Sequence, residues 1–374
     1  MNIGEYFSLL GSDYTLRTIT IGTGLLGAIC GMLGSFAVLR KQSLLGDAIS
    51  HAALPGIALT FILLQTKNSM SFLVGALISG LIGTLWIRSI INNTRLKSDT
   101  ALGLILSLFF GFGMLLLTFI QKMPNANQAG LEKYLFGQAA TLVASDVWIM
   151  AGVTGISLLI TLLFWKEFKI ILFDPDYTMT LGFNNRLIDT MMMTFMVLAI
   201  VLGLQTVGVV LMSAMLLAPA AAARQWTNHL WKMVLLASLF GGLSGIIGTA
   251  ISASHNNLST GPVIVLVAAG FVFFSFIFAP QRGLLARKIK FMKNKNNLEL
   301  HKTLSFLFEI ANEHQNYSHP HSIKLCYTMH GFSPKSLQKM SENGWIKLSE
   351  GMWSLTEKGF DAANNLYNQN LKDK

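Results

Sequence analysis

Charge is what this chain has least of. Only 12% of its 374 residues are Asp, Glu, Lys or Arg, about half of the roughly 25% found in a soluble globular protein. The shortage is concentrated, because Thr100 to Gln121 and Thr190 to Ala223 contain no charged residue at all. Runs of that length reach or exceed the about 20 apolar residues that cross a hydrocarbon core of about 30 Å, which excludes an ordinary soluble domain. Cysteine is scarcer still: Cys30 falls in an apolar run and Cys326 in a polar tail, so no disulfide framework is implied. Residues 1–14 carry Glu5 and Asp13 and no basic cluster, which predicts no removable signal peptide. No Gly-Lys dipeptide occurs anywhere. Without it there is no Walker A loop to cradle phosphates, so the chain is expected not to be an enzyme and any ATP hydrolysis must be supplied by another subunit.

What the sequence does hold is a series of apolar runs separated by charged or turn-rich breaks: 17–39, 51–66, 70–91, 100–120, 146–165, 187–204, 206–223, 233–253 and 262–280. They predict an all-α polytopic membrane protein of about nine transmembrane helices, or eight if the sixth and seventh runs are one, followed by a small α+β tail. The domain boundaries expected are a transmembrane domain over 1–285, a basic linker over 286–297 and a tail module over 298–374. The sixth and seventh runs share 34 charge-free residues, short for two crossings, with Gly203, Gln205, Thr206 and Gly208 as a turn between them. Charge decides the count. With nine spans and the N-terminus outside, 16 Lys and Arg fall on inside segments and 4 on outside ones, as cytoplasmic loops require. Merging the two runs would put Arg282, Arg287, Lys288, Lys290, Lys293 and Lys295 outside. Glycines such as Gly22, Gly24, Gly27, Gly31 and Gly34 within the first run let helix backbones approach closely, so the spans form a bundle.

Asp47 and His51 are the ionisable pair that this topology leaves in or near the membrane. Their spacing of four puts both on one helix face. If the helix runs on from Lys41 at the inner interface, His51 lies about 15 Å deep, near mid-core. A carboxylate and an imidazole together suit a divalent first-row metal. They equally suit a structural pair that holds the bundle together, or a proton relay. Pro55 cannot donate to the carbonyl of His51, which frees that oxygen. Met212, Ser213 and Met215 in the seventh run, and His255 in a short outside loop, are weaker candidates, since methionine in a span usually packs and a lone loop histidine is usually solvated.

The stretch Leu39-Arg40-Lys41-Gln42-Ser43-Leu44-Leu45-Gly46-Asp47-Ala48-Ile49-Ser50-His51-Ala52-Ala53-Leu54-Pro55-Gly56 resembles the hallmark of the metal-type ABC permeases that import manganese, zinc or iron. Further stretches resemble that family in its order: Ser98-Asp99-Thr100-Ala101-Leu102-Gly103, Tyr134-Leu135-Phe136-Gly137-Gln138, Phe173-Asp174-Pro175-Asp176, Pro219-Ala220-Ala221-Ala222-Ala223-Arg224 and Phe278-Ala279-Pro280-Gln281-Arg282-Gly283. The resemblance implies a permease in the bacterial cytoplasmic (inner) membrane, paired with a second permease copy, identical or not. It also implies ABC ATPase subunits on the inner face and an extracytoplasmic metal-binding protein. It gives Asp47 and His51 to the metal path, with manganese ahead of zinc and iron as transported ion and no cofactor held permanently. Asp174 as N-cap, Pro175 at the first helical position and Gly182 just past the end mark a short helix. By resemblance this is the coupling helix, with Asp174, Pro175, Asp176, Leu181 and Gly182 as its residues. The competing reading is a secondary transporter that uses Asp47 and His51 without an ATPase.

The net charge of +10 is explained by the inside loops, and nucleic acid is not needed. Residues 298–374 hold 8 Lys and 8 acidic residues, a poor phosphate-binding surface, although they resemble a winged-helix module. A regulator that binds DNA through this tail is therefore disfavoured, and no nucleic-acid partner is expected; the tail is expected in the cytoplasm in a docking role. His314, His319, His321 and His330 could form a metal-sensing patch, but their spacing is irregular for ligands.

Overall fold

The computed structural model describes residues 12–65, 69–123, 137, 139, 142–255, 258–313, 318–323, 334–349 and 351–372. It divides into two compact units, Met1–Gly283 and Leu284–Lys374. Among the described residues of the first unit, nine helices are long and apolar enough to cross a membrane. They are α1 (Tyr14–Leu39), α2 (Leu45–Leu64), α3 (Ser69–Asn93), α4 (Ser98–Gln121), α5 (Ala144–Leu163), α8 (Asn185–Thr206), α9 (Val209–Trp226), α10 (Leu230–Ser254) and α11 (Thr260–Phe278). Two short helices, α6 (Trp165–Phe173) and α7 (Pro175–Thr180), connect α5 to α8.

The count of nine holds because α8 and α9 are separate helices. The break falls at Val207 and Gly208, where Gly208 takes φ +90°, a backbone conformation open to glycine and costly for a β-branched residue. Gly203 and Thr206, expected in that turn, are helical instead.

Bundle assembly rests on α1. Its glycine edge meets α10 backbone to backbone: a Cβ built on Gly27 would lie 2.6 Å from the Gly241 carbonyl carbon and 2.9 Å from the Met215 methyl. Around this seam Thr23 Oγ1 lies 3.0 Å from Thr249 Oγ1, and Ser238 donates to the Ala28 carbonyl at 3.0 Å. Small residues of this kind let membrane helices associate by close packing and interhelical hydrogen bonds, since lipid offers no hydrophobic drive. On the other side of the bundle α2 packs against α3 and α4, with Ser79 of α3 donating to the Ala52 carbonyl at 2.6 Å.

Two expectations need correction. The second span starts at Leu45 rather than residue 51, so Asp47 and His51 are part of the transmembrane helix itself. His51 is six residues along α2, about 9 Å from its start at 1.5 Å per residue,. The chain turns sharply before it, with Lys41 at φ +58°, so Lys41 belongs to a turn and not to the helix. Residues 165–173 are also helical rather than loop, with Phe168 and Ile171 buried.

The second unit contains α12 (Leu284–Glu313), β1 (His321–Ser322), α13 (Pro334–Glu342), β2 (Ile346–Ser349), β3 (Met352–Leu355) and α14 (Glu357–Lys372). Residues 286–297, expected as a linker, lie within α12. The strands form an antiparallel sheet in the order β1-β3-β2, with Ile346 opposite Leu355 and His321 opposite Trp353. The hairpin turns at Gly351, φ +79°, as the Glu350-Gly351 pair predicts. Leu304, Leu307, Met340, Trp353 and Ala363 form its core.

Candidate functional site

Asp47 stands in the first turn of α2, where the N-cap residue Leu44 offers no side-chain hydrogen bond. Unsatisfied N–H groups at a helix start favour a negative charge, by about 0.3–1 kcal/mol at an exposed site and up to about 2 when partly buried. One turn on, His51 is half-buried. Its ring meets the edge of Phe110 on α4, centroids 4.8 Å apart at 71°, and its Nδ1 is buried without a hydrogen-bond partner among the described residues. A buried nitrogen left so loses its hydration without compensation, a cost of about 1–3 kcal/mol. The fold thus leaves a ring nitrogen of His51 unpaired among the described residues, one turn from the Asp47 carboxylate.

The neighbouring helix comes close at this level because Gly46 has no side chain: a Cβ there would lie 3.0 Å from the Ser213 Cα of α9. Met212 and Met215 of α9 are fully buried, Met212 against Gly203 and Met215 against Gly27, so both are packing. His255 is exposed at the end of α10. No group of three or more His, Cys, Asp or Glu that could hold a metal occurs among the described residues. Two side chains of one chain are what this fold brings together.

The short helix α7 has the predicted caps. Asp174 accepts from the Tyr177 N–H at 2.9 Å, Pro175 occupies the first position, and Gly182 closes the end at φ +80°. Thr178 is buried while Tyr177, Met179 and Leu181 are exposed. Asn185 of α8 donates to the Pro175 carbonyl at 2.7 Å, fixing α7 against the next span.

Between the two regions lies a cavity of about 670 Å³ whose walls include Arg40, Lys41 and Gln42 ahead of α2, Pro175 of α7, and Arg186 and Asp189 of α8. Arg40 and Asp189 form an ion pair there, and Arg88 of α3 donates to the Arg186 carbonyl at 2.7 Å and to the Thr190 hydroxyl. The ion pair ties the turn before Asp47 to α8, the helix that follows α7, and Arg88 ties α3 to the same helix. Sequence reading missed them because the partners are 149 and 98 residues apart, and it missed Phe110 because nothing distinguishes that ring within its apolar run. Residues 134–136 and 138 of the Tyr134–Gln138 stretch, and His314 and His330, lie outside the described residues.

Residues 12–279 match the ABC 3 transport family, most of the chain and all nine spans. The chain belongs to the ABC 3 transport family. This ABC 3 family member is 50% identical over 276 residues to the zinc transport system membrane protein TroC of Treponema pallidum (strain Nichols), covering 74% of this chain and 93% of that protein. It is 40% identical over 354 residues to the manganese transport system membrane protein MntC of Bacillus subtilis (strain 168), covering 92% of this chain and 79% of that protein. The second match is long enough to extend into the tail. Among solved structures it resembles PsaBC from Streptococcus pneumoniae in complex with Fab, with a TM-score of 0.67 and 35% identity over 77% of this chain and 100% of that one. The ABC 3 assignment agrees with the family resemblance read from the sequence.

Proposed function

We propose that this chain is the membrane-spanning permease subunit of an ABC importer that moves a divalent first-row metal ion, manganese or zinc, across the bacterial cytoplasmic membrane. The observation that carries the proposal is the half-buried Asp47/His51 face inside a helix of an ABC 3 family bundle, on which His51 Nδ1 has no hydrogen-bond partner among the described residues. One carboxylate and one imidazole bind such an ion without enclosing it, which suits a carrier that must release what it takes up. Two copies of the permease would each offer the pair. The energy comes from separate ATPase subunits docked on the exposed side chains of α7, and an extracytoplasmic binding protein delivers the ion. In this reading the N-terminus is outside and the tail is cytoplasmic, as the 16-to-4 distribution of basic residues supports,.

The test is ATP-dependent uptake of manganese, zinc and iron by the assembled complex in proteoliposomes. Asp47→Ala and His51→Ala are each expected to lower uptake by at least about tenfold, the lower end of what loss even of a supporting group costs a metal site. Asp174→Ala removes a cap worth about 1 kcal/mol and should weaken ATPase association about fivefold. Normal uptake by both pair variants in an intact complex would show that the ion travels elsewhere.

A further inference from the structure

A second cavity, of about 820 Å³, opens on the flank of the bundle between α1, α5, α6 and α10. Its walls are apolar along the spans, with Met32, Leu158, Leu162 and Leu235 among them, and its end is ringed by Trp165, Trp231, Lys166 and Glu167. Leu158, Leu162 and Leu235 are about half or more exposed, although they lie on transmembrane helices, so this wall is open to the outside of the bundle. Two tryptophans mark the level of the membrane interface, where their amphipathic rings settle; Lys232 beside them places its ammonium 5.6 Å from the Trp231 ring.

The polar end is chemically specific. Glu167 is only partly exposed, and its Oε2 is buried with no hydrogen-bond partner among the described residues. The protein does not place its neighbour Lys166 on it: the ion pairs among the described residues are Arg40–Asp189 and Lys295–Glu299. An under-satisfied carboxylate beside a lysine, at the mouth of an apolar cavity at interface depth, matches one kind of molecule. It needs a hydrogen-bonding cation and an anion a few bonds apart, joined to a hydrocarbon chain. Rotation of the carboxylate brings either oxygen to the cavity, and a primary ammonium supplies three donors.

We infer that this cavity seats a phospholipid with a primary-ammonium headgroup, its ammonium on Glu167, its phosphate on Lys166 and one acyl chain along the wall of Leu158, Leu162 and Leu235. A trimethylated headgroup carries the same charge but no N–H to donate, and an anionic headgroup lacks the cation. The seat lies on the first turn of α6, whose last residue Phe173 precedes the N-cap of α7. The lipid therefore braces the helix that carries the α7 docking surface.

Native mass spectrometry of the full-length, delipidated protein in detergent tests this, with equal amounts of phosphatidylethanolamine, phosphatidylcholine and phosphatidylglycerol added back. The expected result is one phosphatidylethanolamine retained per chain, about tenfold over the other two, the value of one hydrogen bond to a charged group. Glu167→Gln, which keeps the side chain's shape, should erase the preference while leaving elution on gel filtration unchanged. Leu162→Trp, which fills the cavity from an exposed position, should exclude all three lipids. Equal retention of the three headgroups by the wild-type protein would overturn the inference. So would undiminished preference in Glu167→Gln, or a wild-type dimer that retains no lipid because a second copy covers the cavity. Should Glu167→Gln aggregate, Lys166→Ala decides, since removing the cation that holds the phosphate should lower retention of all three phospholipids alike, and no change would sink the assignment.

Discussion

Gly27 and Gly111 are both glycines deep in the apolar stretches of transmembrane helices, and their surroundings could hardly differ more. Gly27 lies in the seam of α1 and α10, where a Cβ would collide with the backbone of Gly241. Gly111 lies on α4, one residue from the Phe110 ring that meets His51, and a Cβ there would touch nothing within 4 Å. The seam has its polar groups paired, as in Thr23 with Thr249 and Ser238 with Ala28. The α2/α4 face leaves His51 Nδ1 buried and unpartnered among the described residues. The seam thus joins close backbone contact to paired polar groups, whereas the α2/α4 face holds a polar group that the fold leaves unsatisfied among the described residues,.

The largest effect should come from breaking the seam. Gly27→Val introduces an isopropyl group against a backbone that cannot rotate away, and overpacking of this kind costs about 1–3 kcal/mol and occasionally more. Its thermal unfolding in detergent should fall well below that of the wild type, or the protein should fail to elute as a single species. A Gly27→Val protein as stable as the wild type would mean that α1 and α10 are not in backbone contact.

Next in size is a change on the opposite face, with the opposite sign. His51→Leu removes the buried nitrogen and keeps an apolar side chain of similar bulk against Phe110. Replacing an unsatisfied polar group by an apolar one is neutral or stabilising, here by up to about 1 kcal/mol. Unfolding should therefore occur at the same or a higher temperature while metal uptake is lost. A strongly destabilised variant would restore the structural reading of the pair, in which the imidazole holds the bundle together.

Much of this division was legible in the sequence. The nine spans follow from charge-free length and the distribution of Lys and Arg, because a bilayer imposes both on any chain that crosses it. The α7 helix could be read from Asp174, Pro175 and Gly182, since caps are local chemistry. The start of α2 could not. Asp47, Ser50 and His51 interrupt the apolar run, and hydropathy reads them as loop although the helix begins at Leu45; a polar face erases the signal that locates its own helix. Lys166, Glu167 and Lys169 hid α6 in the same way. The Arg40–Asp189 pair and the Phe110 contact needed the fold, for no local rule joins residues so far apart.

A smaller effect is expected at the seam's hydrogen bond. Thr23→Val keeps the shape of the side chain and removes the hydroxyl that lies 3.0 Å from Thr249 Oγ1 and 3.3 Å from the Gly245 carbonyl. Interhelical hydrogen bonds in membranes average about 0.6 kcal/mol, so unfolding should shift by a degree or two, measurable only beside the wild type. A loss as large as that of Gly27→Val would assign the seam's strength to its hydroxyls and not to its glycines.

The smallest effect should be that of Gly111→Ala. In water an exposed mid-helix glycine replaced by alanine gains about 0.5–1 kcal/mol, largely through the entropy of the unfolded backbone. In a bilayer the unassembled helix keeps its backbone hydrogen bonds, so most of that gain disappears and a shift within about 0.5 kcal/mol remains. The methyl enters open space on this chain, and Phe110 and His51 keep their contact. Uptake and unfolding should both match the wild type when α4 faces lipid at Gly111. If instead unfolding of the purified chain is unchanged while assembly or uptake of the complex drops, then a second permease copy packs against α4 at this level, and Gly111 plays for that contact the part that Gly27 plays within the chain.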